Sequence, residues 1–403
     1  NVTGNVSGSS GSCTGEASSA SQLYINENSD YNAQCYIAGF PQANSDGNKS
    51  AQTDTQIYFN PWSNTLYAPT FSGSLSGTAS QLVEALAGTI NFSGAVTITG
   101  DDYTLAQLKT INDTTTGAIT LNTPTVDLSG SSSDLAAAFA GTITTHTGNV
   151  GITNNDYTLA ELVSINNATS GTITLTHTDV AISGDSSDYS AALAGNINYT
   201  GNVTISNADY TVTELKNINN GTTGTITLQT TNTALTGDAT DLKEALAGIT
   251  NYSGNVTITD TSYTVAELKA INSTTTGTIT LQNTGVALSG NSTDIAAAFA
   301  GSVTTHTGTV AITNADHTLS ELQTINNATS GTITLTDYSV ALNGTSAAIS
   351  EALAGTFAST YTGTATLSDD HTLAELVAIN NGTSGNITLN SNAVALTGST
   401  SDV

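Results

Sequence analysis

The chain has 403 residues, with 32 acidic side chains against five basic ones, all lysines, and a formal net charge of -27. Nucleic-acid binding and polybasic membrane contacts both need clustered Lys and Arg, so this balance argues against a nucleic-acid partner and against a charged membrane contact. No apolar run approaches the roughly 20 residues of a membrane helix, so membrane insertion is not expected. Only 9% of residues are charged, which leaves the surface to Thr, Ser, Asn and Gly and suits extracellular or virion proteins.

The first 74 residues differ in composition from the rest. Residues 1–15, NVTGNVSGSSGSCTG, are punctuated by Gly and poor in large apolar side chains, so they predict no globular core. Residues 53–72 contain QIYFN, PWSN and TLYAPTF, which predict a strand, a turn and a second strand. The two cysteines, Cys13 and Cys35, also lie here, and the sequence leaves open whether they pair. We predict a β segment with one hairpin over residues 1–74.

Residues 75–403 are tandem repeats. The threonine that opens a helical segment recurs in six copies spaced by 53 or 54 residues, at Thr104, Thr158, Thr211, Thr264, Thr318 and Thr372. Each repeat holds a second, weaker copy of the same pattern, so each half is predicted to form a strand, a short helix and another strand. The closing residues LTGSTSDV match the lead into a helix in earlier copies, so we expect the chain to be a section of a longer polypeptide, truncated at both ends.

The helices are predicted from their caps. Five copies read T-x-x-E, as in Thr158 to Glu161, which is a capping box in which each side chain satisfies a free amide at the helix start. Leu159, Leu162 and Ile165 then form one narrow apolar stripe. The weaker half-repeats carry acidic residues at the position expected for a helix N-cap, namely Asp134, Asp188, Asp241 and Asp294.

A half-repeat of about 27 residues cannot bury its apolar face alone, whereas stacked copies bury a continuous core. The sequence therefore predicts an α/β solenoid of about six 53-residue repeats, with two strand-helix-strand coils in each. Stacking twelve coils at the strand spacing of roughly 4.8 Å predicts a rod on the order of 60 Å long. The alternative is one small α+β domain per repeat, joined like beads on a string.

Histidines are the first candidates for chemistry. His317 and His371 stand where other copies have Tyr103, Tyr157, Tyr210 and Tyr263, and His146 and His306 stand where others have Phe92, Tyr199, Tyr252 and Tyr361. These substitutions predict planar side chains stacked along the rod rather than metal or catalytic ligands. His177 has no counterpart in the other copies.

Carboxylates are the second candidates, because paired carboxylates hydrolyse glycosides. The capping boxes already account for the glutamates, and no copy departs from the repeat as an active site would. Loops 183–188 (SGDSSD) and 236–241 (TGDATD) offer oxygen ligands to Ca²⁺ but lack the known calcium-loop spacings. We therefore predict no enzyme, no catalytic residue and no cofactor, with Ca²⁺ as the one metal left open.

Two stretches carry a family resemblance. The run NVTGNVSG at residues 1–8 and the hairpin IYFNPWSNTLYAPTFSG at 57–73 resemble the modular fibre proteins of tailed phages that infect marine cyanobacteria. The resemblance covers about the first 77 residues. It implies a homotrimer along a common axis, other virion proteins as partners and a virion location. The repeats are also similar to Thr-rich repeats in very large secreted surface proteins of marine bacteria, which implies an extracellular or cell-surface location instead.

The expected function follows from the rod and the resemblance. We predict a structural part of a viral appendage, a tail fibre or capsid fibre, that acts as a rod-like spacer supporting host-cell adhesion, with host surface glycans as a further partner. The alternative is a secreted bacterial adhesin or surface-layer protein. A glycan-degrading tailspike is the third hypothesis, and it requires a site that the repeats do not display.

Overall fold

The structure, a computed structural model, describes residues 73–88 and 92–398 and the backbone of three earlier strands. The chain divides into two compact units, residues 1–72 and 73–403. In the first unit, strands β1 (Cys35–Gly39), β2 (Gln52–Asn60) and β3 (Thr65–Tyr67) pair antiparallel in that order. β2 and β3 lie where the sequence predicts the hairpin. Cys13 and the side chain of Cys35 lie outside the described residues, so their pairing stays a prediction.

The second unit is an α/β solenoid, as the repeats predict. Its described residues contain twelve helices and six sheets of three short parallel strands. The helices are α1 (Ala79–Ala85), α2 (Leu105–Thr114), α3 (Ser132–Ala138), α4 (Leu159–Ala168), α5 (Ser186–Ala192), α6 (Val212–Gly221), α7 (Ala239–Leu246), α8 (Val265–Thr274), α9 (Ser292–Phe299), α10 (Leu319–Ala328), α11 (Ser346–Leu353) and α12 (Leu373–Gly382). The strands are β4 (Leu75–Gly77), β5 (Val96–Ile98), β6 (Ile119–Leu121), β7 (Leu128–Gly130), β8 (Val150–Ile152), β9 (Ile173–Leu175), β10 (Ile182–Gly184), β11 (Val203–Ile205), β12 (Ile226–Leu228), β13 (Leu235–Gly237), β14 (Val256–Ile258), β15 (Ile279–Leu281), β16 (Leu288–Gly290), β17 (Val310–Ile312), β18 (Ile333–Leu335), β19 (Leu342–Gly344), β20 (Ala365–Leu367) and β21 (Ile387–Thr388).

Equivalent residues stack directly on one another. Val96 pairs with Leu75 on one side and with Ile119 on the other. Ile119 also forms a β-bridge to Ile143 of the next repeat. Seven residues after Ile143, Val150 joins the next three-stranded sheet, so the chain passes directly from one sheet to the next. Each half-repeat therefore adds one layer, and at roughly 4.8 Å per layer the described solenoid is on the order of 60 Å long. Successive repeats share this pairing, which rules out separate beads.

The core lies between the strands and the helices. In strand β9 the side chains alternate buried, exposed and buried, which is the pattern of a sheet with one buried face. The predicted apolar stripe of α4 faces inward, since Leu162 is 1% exposed and Ile165 is 0% exposed. Consecutive helices pack against each other along the whole solenoid. The short helices gain their stability from these neighbours rather than from length.

The capping boxes form as predicted. In α4 the Thr158 hydroxyl accepts a hydrogen bond from the Glu161 N–H, and a Glu161 carboxylate oxygen accepts one from the Thr158 N–H at 2.8 Å. The N-cap prediction for the weaker half-repeats is wrong. The strand before each of these helices ends in Gly and the next residue is already the N-cap, so the acidic residues lie three positions later, in the first turn. The N-caps are Ser131, Asp185, Asp238 and Asn291.

Glycines mark the corner where successive coils come closest. A Cβ on Gly171 would lie 1.9 Å from the carbonyl oxygen of Gly148 in the preceding layer, which no side chain could tolerate. Beside this corner, the buried Thr169 donates its hydroxyl proton to the His146 carbonyl oxygen at 3.1 Å. Residues 169–171 (TSG) therefore combine a close backbone contact with a satisfied polar group.

Candidate functional site

Two columns of rings run through the interior and contain four of the five histidines. The first ring column precedes the longer helices and consists of Tyr103, Tyr157, Tyr210, Tyr263, His317 and His371. The second ring column precedes the middle strands and consists of Phe92, His146, Tyr199, Tyr252, His306 and Tyr361. All twelve side chains are buried. The sequence predicts stacked rings at these positions, and their burial is confirmed. Among the described residues, however, the rings contact rings outside their own column, such as His146 against Phe139 at the end of α3, 5.2 Å between ring centres, so stacking along the rod is not observed.

In the second ring column, histidine takes over the hydrogen bond of tyrosine. The Tyr199 hydroxyl donates to the Val180 carbonyl oxygen at 2.6 Å. His146 Nε2 lies 2.7 Å from the equivalent carbonyl oxygen, that of Val126. Because a carbonyl only accepts, Nε2 must carry the proton. The imidazole therefore acts as a shorter tyrosine here, and its other nitrogen lies 3.3 Å from the Thr169 hydroxyl.

In the first ring column, the tyrosines bond to the strand corner of the same coil. The Tyr157 hydroxyl donates to the His177 carbonyl oxygen at 2.6 Å. His317 is too short for that contact and instead lies with Nε2 3.1 Å from the Tyr361 hydroxyl. His177 itself is exposed and contributes only its backbone oxygen to this bond.

Burial shifts the pKa of the buried tyrosines, and of His146, His306 and His317, toward the uncharged side chain. It raises the pKa of Tyr103, Tyr157 and Tyr263 to about 12, so the phenols remain hydrogen-bond donors. It lowers the pKa of His146, although the Val126 carbonyl and the Asp127 carboxylate oppose part of this effect. His146 and His306 are both 0% exposed, and each holds a backbone carbonyl through Nε2, so these two rings have no path to a substrate.

A network of Ser, Asn and Glu joins the short helices to the long ones. The Ser132 hydroxyl donates to Glu161 Oε2 at 2.9 Å, and the Ser132 N–H donates to Asn154 Oδ1 at 2.8 Å. The same contacts recur at Ser186 and Ser292, and at Ser346 with Asp369 in place of the asparagine. Ser132 is 0% exposed, so its hydroxyl cannot reach a substrate as a nucleophile. The network fastens the start of one helix to the start of the next.

Asparagines fasten the other end of each short helix. Asn166 Nδ2 in α4 donates to the Ala191 carbonyl oxygen near the end of α5, at 2.7 Å. Equivalent bonds start from Asn112, Asn219, Asn272 and Asn326. These bonds satisfy carbonyls that the helix leaves free. Sequence reasoning missed both networks, although the Asn recurs in all six copies and the Ser in four of them, which was a usable signal.

Several other carboxylates have structural partners. Lys216 bridges to Asp241 and Glu244 of the next helix, Lys269 bridges to Asp294, and Lys109 lies 3.7 Å from Asp134. In the first candidate calcium loop, Asp185 accepts a hydrogen bond from Ser206 at 2.8 Å. Among residues 73–88 and 92–398, no three His, Cys, Asp or Glu side chains come together as metal ligands.

Two open surface grooves lie outside these networks. One runs over α8 beside Lys269 and Asp294, and the other lies between Ile173 and Ile197 at a strand corner. Neither groove contains an unpaired buried polar group that would point to a ligand. Within the described part of the chain, no helix is long and apolar enough to cross a membrane.

Function must be argued from the fold and its contacts, because comparison with known proteins gives no match: the sequence matches no protein-family model and no curated protein.

Proposed function

We propose that this chain is a rod-like spacer in a viral appendage, a tail fibre or capsid fibre, that supports host-cell adhesion. The observation that carries the proposal is that the groups able to do chemistry are used to fasten one coil to the next. Ser132, Glu161 and Asn166 each bond across coils, and His146 replaces a structural tyrosine. Such a molecule converts sequence length into physical length.

The outward face supports the same role. Exposed Thr174 alternates with the buried Ile173 and Leu175, and the Thr, Ser and Asn residues at equivalent places cover the sheets with uncharged polar groups. Among the described residues, Leu396 is the one large apolar side chain that is strongly exposed. A homotrimer contact through this unit would therefore have to be polar, and native mass spectrometry would count the chains.

In-register deletion tests the spacer directly. Removing residues 159–211 joins Thr158 to Val212 and takes out one repeat, so the rod should stay folded and shorten by about 10 Å. If the chain is a spacer, the shortened appendage should still support adhesion, and only the distance it spans should decrease. Removing residues 159–198 instead breaks the register, and this matched control should misfold. Complete loss of adhesion in a folded in-register deletion would contradict a spacer role for that repeat.

Location decides between the two settings. Antibodies against the second unit should label purified virions at a projecting fibre. Label on bacterial cells and none on virions would favour the alternative, a secreted adhesin or surface-layer protein. Release of reducing ends from host polysaccharide by the purified chain would favour the glycan-degrading tailspike. Binding to immobilised host glycans would test the further partner that the resemblance implies.

A further inference from the structure

The histidines are unevenly distributed between the repeats. His306, His317 and His371 all lie in the last two repeats, and His146 lies in the second. The repeats between them have tyrosine at every ring position, namely Tyr199, Tyr210, Tyr252 and Tyr263. The chain therefore contains two versions of one coil on the same backbone pattern: one with a histidine, which can take up a proton in mild acid, and one with a tyrosine, which cannot.

His306 is enclosed on every side. It is 0% exposed, its Nε2 lies 2.7 Å from the Val286 carbonyl oxygen, and its Nδ1 lies 3.3 Å from the Thr329 hydroxyl. The ring of Phe299 in α9 packs 5.4 Å away, centre to centre. Burial lowers the pKa of His306, and the Val286 carbonyl only partly opposes this. No carboxylate of the described residues adds to that opposition.

His317 connects the fifth repeat to the sixth. It is 2% exposed, and its Nε2 lies 3.1 Å from the Tyr361 hydroxyl. Because that hydroxyl donates its own proton to the Val340 carbonyl oxygen at 2.7 Å, Nε2 of His317 must be the donor. Nδ1 of His317 is buried and has no hydrogen-bond partner among the described residues. A second proton on this ring would have no acceptor.

The charged groups around His317 do not reach that nitrogen. Asp337 follows β18, Glu321 lies in the first turn of α10, and Asp316 precedes the ring in the chain. These three carboxylates favour the charged imidazole, yet burial outweighs them and the pKa of His317 is lowered. The Glu321 carboxylate is already occupied by Ser292, Thr293 and the Thr318 N–H.

We propose that His306 and His317 make the fifth repeat an acid-sensitive joint, whose coils and whose contact from His317 to Tyr361 of the sixth repeat open in mild acid while the tyrosine-only repeats stay closed. An unfolded histidine takes up its proton near pH 6.5, whereas the buried rings take it up only at lower pH. The stability these rings confer is therefore complete above about pH 6.5. It is lost as the pH falls from there through their native pKa values.

Hydrogen exchange with mass spectrometry tests the joint on the whole chain. Peptides over residues 303–337 should lose protection between pH 7.5 and pH 5.0, after correction for intrinsic exchange, by on the order of tenfold more than the equivalent peptides over 249–283. The double variant His306→Tyr with His317→Tyr restores the ring type of the middle repeats. It should remove this difference and leave exchange at pH 7.5 unchanged.

Two results would overturn the joint. Equal loss of protection in both peptide sets would assign the acid response to carboxylates common to all repeats. A folded double variant that remains as acid-sensitive as the natural chain would show that these rings are not the sensor. If the double variant misfolds, His306→Phe alone serves as the second test, because the first repeat carries Phe92 at that ring position. It should remove part of the difference, and no change would count against the joint.

Discussion

Ser132 in α3 donates its hydroxyl proton to Glu161 in α4, at 2.9 Å, so one carboxylate joins two successive coils. The same oxygen accepts the Thr158 N–H at 2.8 Å and thereby caps its own helix. A capping box is usually a local device of one helix. Here it is shared, which explains why the T-x-x-E motif persists through the copies.

Glu161→Ala should destabilise the second repeat by about 1–2 kcal/mol, because it leaves the Thr158 N–H and the buried Ser132 hydroxyl without the carboxylate that accepts from both. Glu161→Gln is the matched control. The first repeat naturally has Gln107, which accepts the Thr104 N–H at 2.9 Å and bonds to Ser80. Urea unfolding of the two variants should give a clear loss for Ala and a small one for Gln, and equal losses would count against the shared cap.

Placing Asp at both Leu162 and Ile165 should abolish order in α4 and spread to the helices on either side, because two charges would enter a closed core. The loss should exceed about 4 kcal/mol. Ser164→Asp on the exposed side of the same helix is the control and should be nearly neutral. Hydrogen exchange reads out the extent. Damage confined to α4, with normal protection in α3 and α5, would show that the coils do not depend on each other.

Much of this fold could be predicted from the sequence because one pattern is repeated six times. The capping box at Thr158 and the stripe ending at Ile165 are local signals, and the structure confirms both. The N-cap prediction at Asp134 failed by three residues, because the preceding strand ends at Gly130 and the helix starts at once. Periodicity alone does not reveal where a three-residue strand stops.

The contacts between coils were harder to predict. Asn166 and Ala191 are 25 residues apart, and their bond exists only because the coils stack in one register. The replacement of tyrosine by histidine was visible in the sequence, but the shared acceptor at Val126 needed coordinates. Local propensity is encoded within a few residues, whereas register emerges from the whole assembly of coils.

Gly224→Ala should destabilise the solenoid by several kcal/mol. An added Cβ would lie 2.1 Å from the Gly201 carbonyl oxygen, and backbone in two stacked layers cannot move apart cheaply. Gly237→Ala is the control, because its Cβ would meet Val212 at an ordinary 3.6 Å. That variant should be neutral or slightly stabilising, since alanine restricts the unfolded chain. Thermal melts compare the two variants. Similar melting temperatures would contradict the claim that the close approach of Gly224 to Gly201 excludes a side chain.

Stability should also fall in stronger acid through three capping glutamates, Glu267, Glu321 and Glu375, whose pKa values are lowered. Burial alone would raise the pKa of Glu321, but hydrogen bonds from Thr293, Ser292 and Thr318 outweigh it, so the pKa lies below its usual 4.5. The unfolded state therefore binds the proton first as the pH falls. The contribution of Glu321 is present above about pH 4.5 and is lost as the pH drops through its native pKa.

Urea unfolding at pH 6.0 and at stepwise lower values checks this titration. Glu321→Gln should be less stable than the natural chain at pH 6.0 and should lose less stability between pH 4.5 and pH 3. Unchanged acid sensitivity in that variant would mean that Glu321 does not titrate with folding. The loss from Glu321 begins only near pH 4.5, whereas that from the histidines begins near pH 6.5, so measurements between pH 6.5 and pH 5 follow the histidines without Glu321.

Tyr189 in α5 replaces the Leu or Ile of the equivalent helices, and its hydroxyl is buried without a hydrogen-bond partner among the described residues. The Thr204 backbone is close enough to oppose part of the burial effect on its pKa, yet it does not form a hydrogen bond. Tyr189→Phe removes a polar group that folding strands away from water. It should leave stability unchanged or raise it by about 1 kcal/mol.

Tyr199→Phe is the matched control for that variant. Tyr199 is equally enclosed, but its hydroxyl donates to the Val180 carbonyl oxygen at 2.6 Å, so its removal leaves an acceptor unpaired. It should cost about 1–2 kcal/mol. Urea unfolding of both variants tests the contrast. A loss at Tyr189 as large as that at Tyr199 would mean that its hydroxyl has a partner in solution, such as an enclosed water, and that the third repeat is as fully satisfied as the others.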